Sequence, residues 1–360
     1  MTGSDPHQIA ARDLLAAFEK DVIDHAPGTR WAHTHGLGVV GHFVASDVAR
    51  QYCAAEHFRG QRVPVTVRFS NASSEAQRHD EWQDIRGMAT KFHLGNGGDG
   101  GDGSGSEGVD VDLIAVSLDV FIARTRAEFL GVAKADRPRP VTREHWWQRL
   151  IDRLRLELPL VDPPPGQVAS GVAGLLAYAG THRDAQAGVA GAGVQAVPMS
   201  WARVKYHAVH TFVVVDPDGV RRHVRFAWQP VAGVCPLDHP LTAAPDFLST
   251  EMRQRLQVAP ARFELKMTIG DDGDAFEDPT KAWPVTRRVV MMGSLYLDRV
   301  AEDQELQCER LSYNPMRLIA GIEASDDEIL RARGEVYVLA AGERGAIGCP
   351  MGLAAGMKVS

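Results

Sequence analysis

Cysteine is scarce: Cys53, Cys235, Cys308 and Cys349 are the only four in 360 residues, and none forms a C-x-x-C pair. That spacing argues against a zinc site or a disulfide framework and points to a reducing compartment. An excess of basic charge is also missing. With 39 Lys and Arg against 46 Asp and Glu, the formal net charge is -7, so nothing recommends DNA or RNA as a partner. No run approaches the ~20 apolar residues that span a bilayer, and no membrane role is expected. The N-terminus lacks the basic start and unbroken apolar stretch of a secretory signal, so the expected location is cytoplasmic.

What is present suits a large folded core: 44% of residues are hydrophobic and 24% charged, compatible with one domain over residues 1–360. Apolar positions recur at helical spacing over residues 8–25, and Pro27-Gly28 ends that pattern. β-rich runs follow at 38–46, 63–70, 87–94 and 111–123, separated by polar or glycine-containing turns. Residues 125–200 read as a helical insertion, while the glycine-rich stretch 96–108 has too few apolar residues to join a core. A second series of strands is expected at 203–216, 220–230, 261–270 and 288–299. Four early and four late strands predict an α+β fold built on a closed eight-stranded antiparallel β-barrel, spanning about 36–300, since closure removes sheet edges. Residues 325–345 read as a C-terminal helix with Ser325 as N-cap, and Arg333 and Tyr337 share one of its faces.

Several strings then fall in a collinear order. They are RWAHTHGLGVVGHF (30–43), VTVRFSNAS (66–74), DIRGMATKF (84–92), YHAVHTF (206–212), DPTKAWP (278–284) and NPMRLIAGIEAS (314–325), with Arg333-x-x-x-Tyr337 after them. Singly each is weak, because R-x-x-x-Y occurs by chance in many proteins. Together, over Arg30 to Arg344, they resemble the haem catalase superfamily. Lacking the long terminal extensions of full-length catalases, the chain is similar to the smaller, catalase-related peroxidase type.

The resemblance implies haem b as cofactor, with Tyr337 as the axial ligand to iron and Arg333 supporting its phenolate from one turn earlier. It implies His33 as the distal base that moves the peroxide proton, with Ser70 fixing its ring. Arg30, Arg68 and Arg344 are implied to meet the haem propionates. Ser117 stands near the position where catalases carry a peroxide-orienting asparagine, and Asp80 is implied in the access channel. His35, His42, His207 and His210 read as structural or exposed, although His210 sits in a matching string. The expected reaction is reduction of hydrogen peroxide or an organic hydroperoxide by a small organic electron donor. A true catalase, a fatty-acid hydroperoxide isomerase and a non-catalytic haem-binding barrel are the alternatives. A homo-oligomer is compatible with the sequence, which does not set the oligomeric state.

Overall fold

The computed structural model describes residues 9–19, 28–74, 79–95, 110–135, 139–140, 147, 168–169, 172–238 and 244–347. Its centre is a closed antiparallel barrel of eight strands: β1 (Gly36–Ala45), β2 (Arg62–Asn71), β3 (Arg86–His93), β4 (Asp110–Val116), β7 (Tyr206–Val215), β8 (Arg221–Pro230), β9 (Ala261–Ile269) and β10 (Val289–Val300). Two-residue strands β5 (Arg139–Pro140) and β6 (Val168–Ala169) form a separate ribbon, and β11 (Ile322–Ala324) adds to the outer half of β7. Around the barrel the order is β4-β3-β2-β1-β10-β9-β8, and β7 closes it, pairing with β8 on both sides of a register shift between Ala208 and Phe212 but with β4 only at Val116↔His207.

Alternation explains the inside. Along β8 the buried positions Val224, Phe226, Trp228 and Pro230 alternate with more exposed ones, the period-two pattern of a strand with one face in the core. Aromatic rings fill the lumen, with Phe43 edge-on to Phe92 at 5.4 Å and Phe69 stacked on Trp201 at 6.0 Å. Buried beside many aliphatic side chains, such rings add large apolar areas to the core that holds eight strands together.

The expected strand 111–123 stops at Val116. There the Ser117 hydroxyl accepts the Arg86 amide at 2.9 Å and the Ser117 amide donates to the Arg86 carbonyl at 2.8 Å. A side chain thus takes a ladder position, and Phe121 leaves the sheet to donate its amide to Pro279. The first helix is observed as α1 (Ala11–Glu19), and the rest of the expected 8–25 segment lies outside the described residues. So do the 96–108 stretch and most of the first half of the insertion. The insertion contributes α2 (Arg126–Ala135), α3 (Val172–Thr181) and α4 (Arg183–Gly193). Helix α5 (Phe247–Val258) was not anticipated, and it buries Leu248 and Met252.

The last helix, α6 (Glu328–Glu343), is capped by Asp327 and not by the expected Ser325. The Asp327 carboxylate accepts the Ile329 and Leu330 amides at 2.8 and 3.1 Å, and a carboxylate complements the helix dipole better than a hydroxyl. Together α1, α2 and α6 form a second small core around Leu14, Phe129, Ile329 and Ala332.

Candidate active site

His33 lies on the loop entering β1 with φ at +57°, the one described non-glycine residue in the left-handed region. That conformation costs on the order of 1 kcal/mol and persists only where surroundings enforce it. Here the His33 and Thr34 amides donate to the Ala72 and Ser73 carbonyls, while the Arg68 guanidinium donates to the His33 carbonyl at 2.7 Å. The ring then stands with Nδ1 2.9 Å from the Ser70 hydroxyl.

Both residues paired with Ser70 across the ladder are glycines, Gly36 on β1 and Gly87 on β3. A Cβ on Gly87 would sit 2.7 Å from Ser70 Oγ and 2.8 Å from His33 Nδ1, so only glycine leaves room for the pair. Burial, then the charges of Arg68, Arg333 and Arg30, push the His33 pKa down to about 3. His33 is therefore a neutral imidazole throughout the ordinary pH range. The Trp31 indole, two residues before His33, donates to Glu343 of α6 at 3.2 Å, so the loop carrying His33 and the helix carrying Tyr337 meet.

On that helix side the barrel supplies the positioning. Strand β7 carries a wide bulge between Ala208 and Phe212, where its register against β8 jumps; bulges of this kind re-aim side chains beside functional sites. His210 is carried by the bulge, buried, with Nδ1 2.6 Å from Asp327 and Nε2 2.7 Å from Arg333. Because a guanidinium only donates, Nε2 accepts from Arg333 and Nδ1–H donates to Asp327, which fixes the tautomer. Burial lowers the His210 pKa, opposed by Asp327 and assisted by Arg333. The pairing Ala324↔Phe212 between β11 and β7 brings Asp327 to this place. One carboxylate thus caps α6 and orients His210, and His210 orients Arg333. The Arg333 guanidinium lies 5.2 Å from the Phe121 ring centre and 5.8 Å from that of Tyr337.

Tyr337 is half-buried and its hydroxyl makes no hydrogen bond to the described residues. It lines a cavity of about 200 Å³ with Ser312, Tyr313, Asn314, Met316, Arg317, Val338 and Ala341. Beside the His33 loop, Arg68 donates through Nε to Glu309 at 2.8 Å and Arg30 does so at 3.3 Å. Burial pushes the Glu309 carboxyl up, but Arg68 and Arg30 outweigh it and hold it below the usual carboxylate range. Arg30 and Arg344 both donate to the Leu311 carbonyl, at 3.1 and 3.4 Å. The three expected arginines therefore share one locality, with Glu309 as a counterion that sequence reasoning missed.

Asp80, implied in the access channel, is completely buried, accepting from the Asn71 amide group at 2.7 Å and from the Leu248 backbone at 2.9 Å. It ties the end of β2 to α5, and its burial raises its pKa. His210 is neither exposed nor a bystander, and Asp327 was not singled out at all. The YHAVHTF string was the signal for His210; for Asp327, the run Ser325-Asp326-Asp327 offered three capping side chains with nothing to choose among them. Among the described residues no group of three His, Cys, Asp or Glu side chains could hold a metal ion.

Comparison with known proteins agrees with this geometry. The catalase family model matches residues 7–155 and 185–348. A catalase-related peroxidase of Mycolicibacterium paratuberculosis is 31% identical over 317 residues, covering 86% of this chain and 87% of that protein. A catalase-related peroxidase of Synechococcus elongatus is 29% identical over 345 residues, 95% and 89% of the two chains. Catalase-2 of Bacillus subtilis is 26% identical, with 89% of this chain covered but only 44% of that larger protein. The chain belongs to the catalase family.

Proposed function

We propose that the protein is a haem-dependent peroxidase that reduces hydrogen peroxide or an organic hydroperoxide at the expense of a small organic donor. The single observation that carries the reading is that the loop holding a serine-bound His33 packs onto the helix holding an arginine-backed Tyr337. The named relatives, catalase-related peroxidases of similar length, favour a peroxidase over a true catalase.

The residues fit haem b on structural grounds. Tyr337 lines a cavity and its hydroxyl has no hydrogen-bond partner among the described residues, and an arginine pair shares one carboxylate, leaving positive charge for a further anion. Tyr337 would be the iron ligand, and Arg30, Arg68 and Arg344 would meet the propionates. When bound, the haem iron supplies the electrons that break the O–O bond.

The chain's own residues manage protons and orientation. Arg333, permanently charged, favours the phenolate of Tyr337 over the phenol, and His210 with Asp327 keeps that guanidinium in place. For His33 Nε2 to accept the peroxide proton, Nδ1 must carry hydrogen and donate to Ser70 Oγ. The same Nε2–H then returns the proton to the departing oxygen, giving water or an alcohol. Ser117, whose hydroxyl already accepts the Arg86 amide, keeps its O–H and one lone pair to offer a peroxide. The test is the optical spectrum of haem-loaded protein. Phenolate-type bands that disappear in Tyr337→Phe are expected, together with donor-dependent peroxide consumption; rapid oxygen release without a donor would replace peroxidase by catalase.

A further inference from the structure

We propose that Asn314 is a positioning residue for Tyr337, pinning α6 against the barrel one turn before the phenol; the inference rests on the reading of Tyr337 as the haem ligand. The Asn314 side chain is oriented without ambiguity. Its Oδ1 accepts the Met316 amide at 2.8 Å, so Nδ2 is the group that donates to the Gly334 carbonyl at 3.2 Å. Gly334 lies between Arg333 and Tyr337 in α6. Its carbonyl already serves the helix ladder, so the Asn314 bond is a second, external one that fixes the rotation and height of this turn.

The pin is anchored deep in the barrel. The Asn314 backbone amide donates to Asp112 at 2.9 Å, and Asp112 is buried between Lys91 at 2.7 Å and Arg317 at 2.5 Å. Lys91 and Asp112 come from adjacent strands β3 and β4 and face each other in register. Such a network is costly to desolvate and contributes little net stability, but a group attached to it has few alternative positions. The contact is also too close for any residue but glycine on the helix. A Cβ at position 334 would lie 2.4 Å from Met316 Cγ and 3.4 Å from Asn314 Oδ1. Asn314, Met316 and Tyr337 line the same cavity, so a shift at the pin alters the space beside the phenol.

Asn314→Ala removes the pin and the turn-forming acceptor together, whereas Asn314→Asp keeps the acceptor for Met316 and loses only the donor to Gly334. Both are prepared beside Tyr337→Phe and labelled with 3-fluorotyrosine, and fluorine NMR of the haem-free protein identifies the Tyr337 resonance as the one Tyr337→Phe lacks. In both Asn314 variants we expect that resonance to move while those of Tyr52 and Tyr206 stay. Haem-loaded Asn314→Ala and Asn314→Asp should hold haem about tenfold more weakly, the scale seen when outer partners of a metal ligand are removed, and their phenolate bands should shift. A lowered melting temperature with unchanged bands, haem retention and Tyr337 resonance would reduce Asn314 to a purely structural residue and overturn the proposal. If Tyr337→Phe itself leaves the loaded spectrum unchanged, the ligand reading fails, and the pin is then judged by the fluorine resonance alone.

Discussion

The two sides of the site are built on opposite principles. On the tyrosine side each polar group of the relay has a partner: Asp327 caps α6 and accepts from His210, and His210 accepts from Arg333. On the histidine side the backbone is strained at His33, and the ring is close-packed against Ser70 with Gly87 making room. The tyrosine side leaves no member of the relay unpaired; the histidine side spends some stability on holding a neutral imidazole in place. On the proposed reading, a ligand at Tyr337 must be kept charged and still, whereas a base at His33 must be kept uncharged and free to exchange a proton.

The sharpest way to break this comparison is at His33. His33→Ala should lower peroxide turnover on the order of 10³-fold, within the range for a removed general acid–base, while haem binding is retained. His33→Gly should be equally inactive yet melt above His33→Ala, because both lose the ring and its bond to Ser70 but only glycine adopts φ +57° without strain. A His33→Gly protein that melts no higher than His33→Ala would show that the histidine side is not strained after all.

The converse is expected at Asp327. Asp327→Ala removes an N-cap and leaves the buried Nδ1–H of His210 without an acceptor. Together these are worth about 3 kcal/mol of stability, measurable by denaturant unfolding, and the phenolate bands should weaken as Arg333 loses its support. Unchanged stability would mean that Asp327 does not organise this side.

This division also governs what could be read from the chain. The barrel was legible because each strand alternates over about ten residues, as in 221–230, and the tyrosine helix because Arg333 and Tyr337 lie one turn apart. His210 and Asp327 were not, because their meeting depends on a bulge in β7 and on the pairing of a three-residue strand, β11, neither of which leaves a periodic trace. Glu309 was hidden for a different reason: an acidic residue in a polar stretch reads as solvated until the fold brings Arg30 and Arg68 to it. Strand 111–123 was overextended because Ser117 replaces a ladder partner with its side chain, which hydrophobic patterning cannot show. The partners of Asp80 were hidden too, because the Leu248 amide that it accepts comes from a helix 168 residues further along the chain.

The histidines give a pH test. Burial pushes the pKa of both His33 and His57 down to about 3 and that of His207 to about 4. Between those values and the ordinary histidine pKa near 6.5 the unfolded chain binds more protons than the folded one. Stability is therefore complete above about pH 6.5 and is lost as pH falls toward 3. His57→Leu should remove one proton's worth of that slope, up to about 1.4 kcal/mol per pH unit, in urea unfolding at pH 4.5–6. His33, for its part, should give no acid limb near pH 6.5: kcat/KM is expected to stay level from pH 7 to 4.5 while the protein remains folded. A limb near 6.5 would mean that the imidazole is more solvated than its setting implies.

The smallest effect falls on Ser70, and it bears most directly on how the histidine side works. Ser70 is buried between Gly36 and Gly87, and its hydroxyl is the side-chain partner that His33 Nδ1 has among the described residues. If its role is to accept Nδ1–H, then Ser70→Ala leaves the ring in place but allows the other tautomer, in which Nε2 carries the hydrogen and cannot act as base. Turnover should fall only about tenfold, near 1.4 kcal/mol, with haem spectrum and melting temperature close to wild type. Ser70→Cys, a weaker acceptor of similar size, should fall between the two. A loss as large as that of His33→Ala would mean that Ser70 itself touches the peroxide, and the histidine side would then hold two reacting groups where the tyrosine side holds one.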